Sequence, residues 1–417
     1  MKAEIIAVGS ELLTPHRLDT NSLFLTRELN RLGIEVQRKH VVGDNPDHLR
    51  DAFRGALERV NLVIAIGGLG PTADDLTRET VAELLGRALH RDEAILLWIE
   101  ERFRRFGRAM PEINVRQAMV PEGAAVLENK RGTAPGLWLE NDSRIVVLLP
   151  GPPAELEPMF TNTVVPKLEG LGGGVKLHSR QLRVAGLGES DVEQRVSSIY
   201  RSYSNTQTTI LAGPGEVELH LSIWSEDATA AERQLDEMVE RFKLALDDHI
   251  FTTQGEALEE VVARELIAHG ATICVAESAT GGLVAQRLTR IAGSSTYFLG
   301  GVVCYSNTLK SAWVDVPAEL IETRGPVSAE VTRALAEGIR RRSGATLGLA
   351  VTGIAGPGGA TAEKPVGTVY LALANPKGVT ERALRFPGDR ERVRWQAAQA
   401  ALDRVRRYFL HARRHGA

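Results

Sequence analysis

Three short stretches near the end of the chain hold side chains that can do chemistry. The first is Ala276-Glu277-Ser278-Ala279-Thr280-Gly281-Gly282. An apolar run ends there and a helix is expected to begin, which puts Ser278 on the connecting turn. A helix start presents unpaired amides and positive partial charge. With Gly281 and Gly282 allowing close approach, such amides can hold a developing oxyanion and leave Ser278 as a nucleophile. The second is Tyr305-Ser306-Asn307-Thr308-Leu309-Lys310. Ser306 or Asn307 would cap a helix and Lys310 would fall in its first turn, where the helix field disfavours a cation. A neutral lysine can activate a serine hydroxyl, with Tyr305 relaying the proton or positioning the base. The third is Val351-Thr352-Gly353-Ile354-Ala355-Gly356-Pro357-Gly358-Gly359. Thr352 ends a strand, and a loop rich in glycine turns its amides toward anions. Each stretch also has a plain structural explanation: serine caps helices, lysine sits in solvent, and tight loops use glycine. Their coincidence at three strand ends is what carries weight.

The elements that must position them follow from periodicity. Apolar strands are expected at Thr272–Ala276, Tyr297–Tyr305, Thr346–Val351 and Val366–Ala374, with helices at 256–268, 283–292, Ala329–Arg342 and 391–408. Alternation of this kind predicts a mostly parallel sheet, whose ligands bind beyond the carboxyl ends of the strands. Residues 251–417 thus read as one α/β domain. Residues 1–170 read as another, independent of it. Strands are expected at Glu4–Val8, Ile34–Val42, Leu62–Ile66 and Arg144–Leu149, with helices at Asp19–Leu32 and Pro46–Arg59. Between them, after a hinge at Gly172-Gly173-Gly174, residues 171–250 read as a small α+β domain. Its strands are Gln181–Val184 and a pair joined by Gly213-Pro214-Gly215. Its helices are Ser190–Tyr200 and Thr229–Leu246.

The first domain has its own candidate site. Gly67-Gly68-Leu69-Gly70-Pro71-Thr72-Ala73-Asp74-Asp75 follows a buried strand. Gly68, Gly70 and Thr72 would admit a phosphate, and Asp74 and Asp75 would hold Mg²⁺ or a similar divalent cation bridging it. Glu11 and Asp19 follow another strand end and complete a four-carboxylate set. Gly151, in Pro150-Gly151-Pro152-Pro153, closes the rim. Against this stands the simpler role of Asp19, Asp74 and Asp75 as helix-terminal acids.

Composition bounds the rest. The chain has 417 residues, 43% of them hydrophobic and 25% charged, with 50 basic and 53 acidic side chains. That is the profile of an ordinary globular protein of two or three domains, and it excludes wholesale disorder and disulfide-rich scaffolds. Cys274 and Cys304, too far apart for a metal knuckle, read as small buried hydrophobes in a reducing compartment. No run reaches the length of a membrane span and the amino terminus lacks a signal-peptide build, so a cytoplasmic protein with no membrane partner is expected. Lysine is scarce, 9 residues against 41 arginines. Any lysine that remains is therefore more notable.

AESATGG, GGVVCYSNTLK and VTGIAGPGG together resemble the signature of the CinA family, whose C-terminal domain is a nicotinamide-nucleotide amidohydrolase. The likeness covers essentially the whole chain. Residues 1–170 resemble the family's molybdopterin-binding-like domain, and residues 171–250 its KH-like domain. The resemblance implies cleavage of the carboxamide of nicotinamide mononucleotide, giving nicotinic acid mononucleotide and ammonia, with no cofactor. It assigns Ser278 as nucleophile and Lys310, Tyr305 and Thr352 as its partners. Asn307, Gly281, Gly282 and the glycines Gly353, Gly356, Gly358 and Gly359 would contact substrate. Ala279, where many relatives carry cysteine, is a small departure. For the N-terminal domain the resemblance implies metal-dependent hydrolysis of ADP-ribose. A homodimer is expected.

A second function class is a non-catalytic competence or recombination factor, binding DNA or a DNA-handling protein and carrying a pterin- or nucleotide-binding N-terminal domain. The middle domain argues against nucleic acid. Residues 177–250 hold 7 basic and 13 acidic side chains, a net of -6. Gly186-Leu187-Gly188-Glu189 is also not a G-x-x-G clamp. Phosphate neutralisation is not available from such a surface.

Overall fold

The computed structural model describes residues 1–414. They form two compact units. The first comprises Met1–Leu177 with Trp224–Ala228, the second His178–Ile223 with the described residues from Thr229 onward.

The first unit is a layered α/β domain. Its strands and helices run β1 (Lys2–Val8), α1 (Asn21–Arg31), β2 (Glu35–Val42), α2 (Pro46–Arg59), β3 (Leu62–Ile66) and α3 (Thr77–Leu84). There follow β4 (Leu89–Arg91), α4 (Glu93–Arg105), β5 (Met119–Pro121), β6 (Ala125–Leu127), β7 (Gly136–Asn141), β8 (Arg144–Leu149), α5 (Pro153–Met159) and α6 (Val165–Leu168). The main sheet has the order β2-β1-β3-β8-β7-β6. Its first four strands are parallel, and β7 and β6 return antiparallel. All five residues of β3 are buried. That is why it reads as an unbroken apolar run, with helices covering both faces. One face packs Phe53, Ile99 and Leu137, the other Leu25, Phe160 and Val164. Within the segment 85–141, β7 and β6 form the antiparallel edge, while β4 and β5 pair as a separate two-stranded sheet.

The second unit opens with a small sheet of order β10-β11-β9-β12. Its elements are β9 (Lys176–Ala185), α7 (Glu189–Tyr200), β10 (Gln207–Gly213), β11 (Glu216–Ser225), α8 (Ala228–Leu246) and β12 (Ile250–Thr252). Strand β11 alternates buried and part-exposed residues, and Val217, Leu219, Leu221 and Ile223 meet Leu235, Met238 and Phe242 of α8 in one core. The chain continues through α9 (Leu258–Ala268), β13 (Ile273–Glu277), α10 (Leu283–Thr289), β14 (Phe298–Val303), α11 (Asn307–Val314), α12 (Ala318–Arg324) and α13 (Ala329–Ser343). It ends with β15 (Leu347–Gly353), β16 (Thr368–Asn375), β17 (Gly378–Arg385) and α14 (Arg390–Arg414). This sheet has the order β14-β13-β15-β16-β17. The first three strands are parallel and the last two antiparallel. The 283–292 helix expected from sequence stops at Thr289, and a further strand, β17, closes the sheet edge. No helix among the described residues is long and apolar enough to cross a membrane.

Candidate active site

Strand register brings the C-terminal residues together. Glu277, the last residue of β13, is opposite Val303 of β14 and Val351 of β15. The next residues along each strand are therefore Ser278, Cys304 and Thr352, a row at the carboxyl ends of three adjacent parallel strands. Neighbouring strands lie about 5 Å apart. Two ladder bonds extend past the strand ends and fix the row: the Ser278 amide donates to Val351 O at 3.0 Å, and the Cys304 amide donates to Glu277 O at 2.9 Å.

The turn after Ser278 is organised by a carboxylate. Glu277, 1% exposed, accepts from the amides of Gly282 (3.0 Å), Val284 (3.1 Å) and Ala285 (2.8 Å). This corrects the sequence expectation for Gly282, since its amide is already spent on Glu277 and is not free for an oxyanion. The Gly281 amide likewise donates to Ser278 O at 3.1 Å. Gly281 and Gly282 instead supply the left-handed backbone the turn requires, at φ 60° and 95°. The amides of Ala279 and Thr280 have no acceptor among the described residues. The Thr280 hydroxyl is buried and also unpartnered. An orphaned buried hydroxyl costs about 1–3 kcal/mol, and Thr280 carries one beside Ser278. It was not singled out in the sequence.

Lys310 is 2% exposed. Ser306 caps its helix by accepting from the Leu309 amide at 3.3 Å, which puts Lys310 near the positive end of α11. Burial pulls its ammonium below the ordinary lysine range, partly opposed by the neighbouring Cys304 and Tyr305 side chains. Its Nζ donates to the main-chain carbonyl of Tyr305 at 3.3 Å. The Tyr305 hydroxyl is engaged elsewhere, accepting from Arg390 Nη2 at 2.9 Å, and the ring is 57% exposed. Tyr305 thus meets the lysine through its carbonyl, which corrects the expected proton relay. Burial also pushes the Cys304 thiol up, with Lys310 pulling the other way.

Thr352 is fully buried. Its Oγ1 lies 2.7 Å from Thr332 Oγ1, and Thr332 donates its one proton to Ser328 O at 2.6 Å. The Thr352 hydroxyl must then be the donor toward Thr332. What it offers the Ser278 row is a lone pair, so the partnership with Ser278 that the resemblance implies is not that of a hydrogen-bond donor. Asn307 is exposed, on a shallow surface shared with Ser311 and Glu322 of α11 and α12. In the 353–359 loop, Gly356 O accepts from Arg390 Nη1 at 2.8 Å, while Gly358 stands in open space. Arg394 Nη2 donates to Thr280 O at 3.0 Å. Arg390 and Arg394 come from the first turn of α14, more than 80 residues beyond Tyr305. They put two cations at the rim.

The first unit holds a cavity of about 340 Å³ at its own strand ends. Glu11, Gly68, Gly70, Thr72, Asp74, Asp75 and Gly151 all line it, and Asp44 and Glu155 add two carboxylates that were not foreseen. Asp19 does not. Its Oδ1 accepts from the Ser22 amide at 3.0 Å, so it serves the start of α1, which removes it from the expected metal set. Gly68 takes φ 67°, and a Cβ there would overlap the Thr77 hydroxyl. Asp75 accepts from the Thr72 amide at 2.9 Å, and Arg116 braces the same loop by donating to Asp75 O at 2.9 Å. Arg78, 1% exposed just past this loop, makes no hydrogen bond through Nε or Nη2 among the described residues, and Nη2 pairs with Glu79 at 3.6 Å. No three metal-binding side chains converge among the described residues, so a closed cage is not built. The hard oxygen donors facing a glycine loop do fit a largely hydrated divalent cation, held by one or two carboxylates and a bound phosphate.

Comparison with known proteins gives three matches along the chain. Residues 255–409 match the family model described as the CinA C-terminal domain, residues 179–252 the damage-inducible protein CinA KH domain, and residues 4–170 the probable molybdopterin binding domain. A CinA-like protein of Koribacter versatilis is 47% identical over 414 residues, covering 98% of this chain and 100% of that one. The chain belongs to the CinA family. A CinA-like protein of Acidobacterium capsulatum is 49% identical, again over 98% of this chain and 100% of the relative. The crystal structure of CinA from Thermoplasma acidophilum is 35% identical, covers 40% of this chain and 99% of its own, and superposes with a TM-score of 0.38. The CinA C-terminal match contains every residue of the Ser278 row, and the molybdopterin-binding match contains the whole acidic cavity.

Proposed function

We propose that the C-terminal domain is a serine amidohydrolase that deamidates nicotinamide mononucleotide. The observation that carries this reading is a buried lysine, Lys310, held by the Tyr305 carbonyl and next to Cys304, whose strand neighbours that of Ser278. Ser278 Oγ attacks the carboxamide carbon while Lys310, neutral, takes the hydroxyl proton. The amides of Ala279 and Thr280, with the Thr280 hydroxyl, hold the oxyanion. Lys310 returns the proton to the departing nitrogen, the C–N bond breaks and ammonia leaves. Water then attacks the acyl-enzyme, giving its proton to Lys310, and Ser278 departs with that proton as the carboxylate is freed. Arg390 and Arg394, the two cations at the rim, would meet the substrate phosphate. An ammonia-release assay on the purified chain and on Ser278→Ala tests this. Loss of turnover in the variant is expected, and unchanged turnover would remove Ser278 as the nucleophile.

The N-terminal domain fits hydrolysis of ADP-ribose. A divalent cation would neutralise the pyrophosphate charge, with Glu11, Asp74 and Asp75 as its carboxylates. The chain's own part is the Gly68–Gly70 loop, which admits phosphate, and the Thr72–Asp75 contact, which shapes it. The acidic KH-like domain supports a small-molecule role over a grip on DNA, and it would act as a spacer or dimer element.

A further inference from the structure

The second unit contains a cavity of about 400 Å³ that neither proposed activity uses. It lies between the KH-like domain and the C-terminal sheet. The Gly186–Glu189 loop and the β10–β11 turn form one wall, and β17, the 386–387 segment and α14 form the other. Along α14 the lining residues are Arg392, Gln396, Gln399, Ala400, Asp403, Arg404 and Arg407, one stripe at helical spacing. Arg394, two residues past Arg392, lies on another side of the helix and reaches Thr280.

The charges in this cavity do not balance. Its acids are Glu189, Glu216 and Asp403. Asp403 is spent, accepting from Arg406 at 2.8 Å and from the lining Arg407 at 2.7 Å. Glu216 is spent on Gln399 at 2.9 Å and pairs with Arg183 at 3.5 Å. Glu189 sits in the first turn of α7, exposed to solvent. Three more arginines remain, Arg382, Arg392 and Arg404, and none makes an ion pair among the described residues. Arg404 is half-buried, and its Nε is fully buried without a hydrogen-bond partner. Burial pulls its guanidinium below the usual range and the nearby Arg382 adds to that, against a weaker pull from Glu381. A buried donor left unpaired is costly unless something arrives to meet it. The remaining walls are apolar: Leu187, Val217, Leu384, Phe386 and Ala400.

We infer that this cavity is a binding site for a phosphate monoester of mononucleotide size, its phosphate on Arg382, Arg392 and Arg404 and its base or other flat body against Phe386 and Leu187. Guanidinium groups pair with phosphate oxygens in a fork geometry, which favours phosphate over a smaller anion. The volume is within the range of small-ligand sites and leaves no room for a polynucleotide.

The test uses the full chain, with adenosine 5′-monophosphate as probe and adenosine as control, by calorimetry in the presence of a chelator. The wild type should bind one more equivalent of the monophosphate than Arg382→Gln/Arg404→Gln, and adenosine should not bind that site. Arg392→Gln, a change at an exposed position, should weaken the same equivalent about tenfold and leave the melting temperature alone. The double variant without ligand should melt no lower than wild type, because it loses unpaired positive charge. Equal stoichiometry and affinity in wild type and both variants, or no binding by the wild type, overturns the assignment.

Discussion

The two candidate catalytic sites are built at the same place in similar sheets and by opposite means. At Ser278 the charged and polar groups are buried and mostly spoken for: Glu277 holds three amides, Thr332 accepts a hydrogen bond from Thr352, and Lys310 is 2% exposed. Chemistry there depends on desolvation, which favours a neutral amine. In the first unit, five carboxylates line a cavity and none forms a closed set. The chemistry proposed there would need an added cation. On that reading, one sheet geometry perturbs its own side chains and the other recruits charge from outside.

The sharpest break in that comparison is Ser278→Ala. Ammonia release should fall by about 10⁴-fold or more, the scale of losing a catalytic nucleophile. The melting temperature should hold, since the hydroxyl has no partner among the described residues. Lys310→Arg should cost nearly as much, roughly 10³-fold, because arginine stays protonated. The wild-type rate should rise with pH through one ionisation below the ordinary lysine value of 10.5.

The stability sign follows from the same burial. Below its folded pKa the lysine is protonated in both states and burial penalises the native one. Between that pKa and 10.5 the unfolded chain binds the extra proton, so native stability rises with pH. Lys310→Met should therefore melt higher than wild type at neutral pH and lose that advantage as pH climbs. A lower melting temperature at pH 7 would mean the lysine is held by contacts that outweigh its desolvation.

Asp75→Ala should lower ADP-ribose hydrolysis about 10²-fold and leave ammonia release intact, and a chelator should do the same to the wild type. Chelator-resistant hydrolysis would erase the contrast between the sites. The smallest effect is expected from Tyr305→Phe, within about tenfold in kcat, because Lys310 is held by the Tyr305 carbonyl, which the substitution keeps. A loss as large as that of Lys310→Arg would return the proton to the phenol.

Much of this was legible in the sequence because buried parallel strands announce themselves as apolar runs and end in glycine turns. Ser278, Lys310 and Thr352 were found that way, as were the Gly68 loop and Asp75. What escaped depends on long-range pairing. Arg390 and Arg394 read as an ordinary helix start, and only the return of α14 to the sheet ends brings them to Tyr305 and Thr280. Thr332 looks like any helix residue until its proton is traced to Ser328. Asp19 was read as a ligand because a helix-capping acid and a metal-binding acid have the same letter. Glu277 read as a residue of the turn after a strand ending at Ala276, and its use as the cap of the following helix needs the turn in three dimensions.

Gly338, in the middle of α13, performs no chemistry. A Cβ there would overlap the carbonyl oxygen of Val314, the last residue of the helix that carries Lys310. Every other amino acid would push the two helices apart at the point where the lysine's helix ends. Selection on an amine's acidity would then also be selection on a bare backbone 28 positions later. Any substitution that adds a Cβ at Gly338 should therefore disturb the lysine's helix at its end.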